Sequence, residues 1–111
     1  MRLDTHENVI RDVAELDVAR IVSSLTASGA AYLVLSDYAD QETYLQAAGT
    51  IQEGFIVERR DGCAGEHYRG DRRIFAAERT TMLVNYLRGE VSWSFVLSWH
   101  RILVGGDDVE D

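Results

Sequence analysis

A chain of 111 residues that is 46% hydrophobic and 9% aromatic fits one folded domain and excludes a disordered chain. A single cysteine excludes an intramolecular disulfide, and the longest apolar run, AAYLVL, is too short to cross a bilayer. The net charge is −8, and the six arginines between Gly54 and Arg79 are nearly neutralised by five acids, which argues against a nucleic-acid-binding stripe.

The N-terminal MRLDTHENVI lacks the apolar run of a signal peptide, so a soluble cytoplasmic protein is expected. Ala14, Val18, Ile21, Val22 and Leu25 recur at helical spacing and Gly29 follows as a stop, which predicts a helix over residues 14–28. The pattern leaves open whether 8–13 extends that helix or forms a strand. AYLVLS (Ala31–Ser36), TYLQAAG (Thr43–Gly49) and FIVERR (Phe55–Arg60) read as strands joined by turn-like DYAD and IQEG. Asp61–Gly62 is a strong turn signal, after which EHYRG (Glu66–Gly70) reads as a fourth strand.

RTTMLVNYLR predicts a second helix over 79–88, stopped by Gly89. In VSWSFVLSWH, Val91, Trp93, Phe95, Leu97 and Trp99 alternate with the residues between them, which predicts a long half-buried strand; a helix is the alternative. VGGDDVED, residues 104–111, reads as a flexible acidic tail, so that 1–103 form the domain. The expected fold is α+β: an antiparallel sheet of about five strands, a meander plus a C-terminal strand, with both helices on one face.

The stretch FIVERRDGCAGEHYRG carries the densest chemistry. If its strands pair so that Asp61 faces Glu66, Arg60 lies opposite His67 and Glu58 opposite Arg69, all on one side of the sheet. Gln46 falls beside Glu58 or inside the sheet. A solvated polar face is the simpler meaning of such a cluster. The sharper one is a floor for a small anionic ligand. Arg60 and Arg69 would hold the anion, His67 would exchange a proton, and Tyr86 or a tryptophan would form an apolar wall. Trp93 and Trp99 are core residues by default and partner-binding residues if exposed. Cys63 has His67 as its only nearby base and sits at a loop tip, so an incidental thiol is expected rather than a nucleophile. Cys63 and His67 alone fall short of a zinc set, and no glycine spacing matches a phosphate loop. No cofactor, metal or catalytic residue is expected.

MLVNYLRGEVSWSFVLSW resembles the C-terminal part of small bacterial immunity proteins, where a helix ends in glycine before a strand carrying tryptophan. FIVERRDG followed by EHYRG is similar to the mid-chain hairpin of other small bacterial proteins of this size. The resemblance covers about half the chain, and Glu90 stands where those proteins often place a proline. It implies a non-catalytic acidic protein that binds and blocks a toxin, a basic toxin suiting the charge. A homodimer is the variant, since a small sheet leaves edges for a second subunit to cover.

Overall fold

The computed structural model describes residues 1–5, 9–14, 17, 18, 20, 21, 31–37, 39, 40 and 42–102. Seven strands form one antiparallel sheet: β1 (Arg2–Thr5), β2 (Val9–Ile10), β3 (Ala31–Ser36), β4 (Thr43–Thr50), β5 (Gly54–Asp61), β6 (His67–Gly70) and β7 (Trp99–Arg101), in the order β2-β1-β3-β4-β5-β6-β7. The expected antiparallel α+β architecture is present, with seven strands in place of five. One helix, α1 (Ala76–Leu87), is complete among the described residues. Of the helix expected over 14–28, residues 17, 18, 20 and 21 are helical and Val18 is fully buried. The rest of that span from residue 22 lies outside the described residues, as does the expected tail at 104–111. No helix among the described residues is long and apolar enough to cross a membrane.

Alternation along the strands makes a two-faced sheet. Leu3, Leu33, Leu35, Leu45, Ala47, Phe55 and Val57 point to one side and form the core with Val18, Ile74, Met82 and Leu83. Register aligns them across strands: Leu33 opposes Ala47, Ala47 opposes Val57, and Leu3, Leu35 and Leu45 continue one row. Because the side-chain period is two, this register sends Tyr32, Val34, Gln46, Ile56 and Glu58 to the face away from α1. At the β4–β5 turn the chain needs glycine. A Cβ on Gly49, where φ is 154°, would lie 2.2 Å from the Gly54 carbonyl oxygen.

The helix starts three residues before the predicted position. Phe75 precedes it and offers no side-chain acceptor, so Glu78 takes the capping role: its carboxylate accepts the Phe75 N–H at 3.4 Å and Arg72 Nη2 at 3.0 Å. The stop at Gly89 is the expected one. Gly89 has φ 77°; its N–H reaches the Tyr86 carbonyl at 3.1 Å, and Glu90 N–H reaches that of Asn85 at 3.0 Å, a Schellman termination.

The long strand expected over 91–100 is absent. Val91–Phe95 is a 3-10 turn and only Trp99–Arg101 joins the sheet. Local bonds at Ser94 accompany the turn. Ser94 Oγ donates to the Val91 carbonyl at 2.7 Å, and the Ser94 carbonyl accepts Trp99 Nε1–H at 2.8 Å, with local bonds in place of ladder bonds. Trp93 and Leu97 then point inward while Val91 and Phe95 point to solvent. Within the span left open at 8–13, Val9–Ile10 is a strand.

Candidate functional site

The hairpin of β5 and β6 pairs Arg60 with His67, Arg59 with Tyr68 and Glu58 with Arg69, the pairing that follows if Asp61 faces Glu66. β4 adds Gln46 opposite Glu58 and Tyr44 opposite Arg60. Glu58, Arg60, His67, Arg69 and Gln46 therefore share the open face of the sheet. Tyr86, Trp93 and Trp99 belong to the opposite, helix-covered side, where they pack against the core. The apolar wall expected for a ligand floor is thus on the wrong side of the sheet from it.

On the open face the polar groups bind one another. His67, with a side chain only 6% exposed, approaches Glu58 Oε1 through Nε2 at 2.6 Å. Its Nδ1 lies 3.2 Å from Arg60 Nε, which can only donate. Nδ1 is therefore the acceptor, and the proton sits on Nε2 and points to Glu58. The Tyr44 hydroxyl stands 3.5 Å from the same Nδ1, and its ring meets the imidazole edge-on. Glu58 Oε2 accepts Arg69 Nη2 at 3.3 Å, and Arg60 Nη1 pairs with Glu42. Burial pushes the Tyr44 phenol above its ordinary value, against the pull of the nearby Arg60 guanidinium.

Chemically the set is largely engaged with itself, with only Arg69 Nε among its buried atoms left without a hydrogen-bond partner. Both oxygens of Glu58 and both nitrogens of His67 are engaged, and each arginine expected to hold an anion carries a carboxylate of the chain itself. Cys63 is exposed in the turn, and His67 is committed elsewhere rather than to it. Among the described residues no three His, Cys, Asp or Glu side chains converge as metal ligands. Sequence reading passed over Glu42 and Tyr44. Tyr44 lies two residues before Gln46 on the same strand face, so the alternation already carried that signal; Glu42 comes from a turn, where no periodicity points.

A second cluster, also not foreseen, lies on the covered face. The Arg59 guanidinium sits 5.0 Å from the ring centre of Trp99, 5.1 Å from Tyr68 and 5.5 Å from Trp93. Trp93 packs edge-on against Tyr86 at 5.0 Å and against Trp99 at 6.0 Å. The tryptophans thus hold a cation of the chain itself, and Asp61 pairs with Arg59 at 3.5 Å. Arg79 is buried in the core with its guanidinium 3.9 Å over the Phe55 ring, and burial lowers its pKa.

Comparison of the chain with protein-family profiles, with curated proteins and with solved structures finds no match.

Proposed function

We propose that the chain is a non-catalytic protein-binding module of the cytoplasm that presents the open face of its sheet to a basic partner, as an immunity-type inhibitor presents itself to a toxin. The observation that carries this reading is the internally paired network on that face. Glu58, His67, Arg60 and Arg69 engage one another, and Arg69 Nε is left without a partner. Exposed Tyr32 and half-buried Val34 and Ile56 add apolar contact area beside it, and tyrosine and arginine are residues on which interfaces concentrate their energy. The charge of −8 suits a basic partner and speeds its approach. The resemblance to immunity proteins supplies the toxin as the kind of partner.

The test is site-specific photo-crosslinking in a lysate of the source cell. A crosslinker placed at Tyr32 should trap one protein, more efficiently at low salt, whereas one placed at Thr81 on α1 should not trap that protein. Recovery of no specific adduct at Tyr32, or the same adduct from both faces, rejects the reading.

A further inference from the structure

The outer side of α1 and the turn that follows it form an apolar shoulder that the open-face reading does not use. Ala77, Glu78, Thr81, Met82, Asn85 and Val96 line a groove of about 310 Å³ there. Phe95, the neighbour of Val96, projects beside it with 79% of its surface exposed, and Val91 is 68% exposed. We infer that this shoulder is the docking surface for a second copy of the chain, Phe95 of each copy entering the groove of the other.

Three arguments select a second copy. A knob next to a hole on one surface is what a two-fold interface requires, because there the same patch meets itself and every contact occurs twice. Charge agrees. Apart from Arg79, which is buried, residues 71–98 hold three arginines and three acids, whereas the rest of the chain holds seven arginines and sixteen acids. The shoulder is therefore the part of this acidic molecule where a second copy meets least repulsion, and a strongly basic partner would find its counter-charge elsewhere. Area sets the strength. Phe95, Val91 and Val96 offer on the order of 350 Å² of apolar surface per copy, against roughly 500 Å² per partner at the lower limit of stable interfaces. Even with the groove walls added the patch stays somewhat below that limit, so the dimer is weak and dissociates in the micromolar range or above.

Sedimentation equilibrium from about 1 µM to about 1 mM tests it, a span chosen to bracket such an affinity. The expected result is a mass rising toward twice the monomer, with Phe95→Ala and Thr81→Arg each weakening association at least about tenfold. Tyr32→Arg on the opposite face should leave it unchanged. Both shoulder positions are exposed, and unaltered melting curves will show that the variants fold. Mixing Phe95→Ala with Thr81→Arg restores one of the two reciprocal contacts, so the mixture should associate more tightly than either variant alone. A chain that stays monomeric at the highest concentration overturns the inference. So does a dimer indifferent to both variants, or a mixture no tighter than its components.

Discussion

His67 and Glu58 meet at 2.6 Å between two strands that face each other with Arg60 and Arg69 on either side of them. The pair is nearly out of solvent, at 6% and 17% side-chain exposure, so its geometry matters more than that of a surface ion pair.

Glu58→Ala should cost about 2–3 kcal/mol, because it strands the buried His67 Nε2–H and one Arg69 contact. Glu58→Gln should cost less, since the amide oxygen can still accept from Nε2. Urea denaturation at constant slope measures both. Equal midpoints for Glu58→Ala and the parent chain would show that the pair contributes nothing.

Arg59→Met should lose about 1–2 kcal/mol through the missing cation–ring contacts while keeping the stem's packing. The two tryptophans of the chain, Trp93 and Trp99, both flank Arg59, so their emission should shift with the substitution. An unchanged spectrum would place the guanidinium away from the rings.

Gly49→Ala should be among the most damaging small substitutions, at about 3 kcal/mol or more. The new Cβ meets a backbone oxygen at 2.2 Å, and the turn itself must move. A melting temperature within a degree or two of the parent's would contradict the turn geometry.

Burial, with the negative fields of Asp61 and Asp37 beside it, raises the Tyr86 phenol to about 12. The unfolded phenol ionises near pH 10, so the folded value is the higher one. Its contribution to stability is complete below about pH 10 and is lost as pH rises through about 12. Glu78 behaves in the opposite sense: its bond to Arg72 holds the folded carboxyl below the ordinary value, so its contribution is present at neutral pH and falls away in acid. Denaturant midpoints across the alkaline limb should therefore fall less steeply in Tyr86→Phe than in the parent.

The 55–70 hairpin was legible as two strands around a turn, because Asp61–Gly62 marks the turn and the alternation on each side assigns the faces. Its register was a supposition, since alternation alone does not say which residues face one another; the structure has Arg60 opposite His67 and Glu58 opposite Arg69. The β1 strand was not legible, since its four residues carry only Leu3 and Thr5 inward, too few to show a period. Val91–His100 misled because alternation is a statement about spacing alone; in the structure local bonds from Ser94 Oγ and the Trp99 indole hold a turn there instead. The polar residues of the hairpin were legible as one face, and their partners from β4 and the preceding turn were not, because contacts across three strands depend on a register that one hairpin does not reveal.

The order of strands has a consequence for how the chain finds its fold. From β3 to β6 every strand pairs with its neighbour in sequence, so residues 31–70 can zip as successive hairpins with short loops to close. β1 must meet β3 across residues 6–30, and β7 reaches β6 only across the segment that holds α1. The middle of the chain is therefore expected to set the folding rate, with the ends attaching afterwards. Kinetic analysis of Val57→Ala and Leu3→Ala should show the first slowing folding and the second chiefly hastening unfolding; the reverse pattern would mean that the sheet grows inward from its edges.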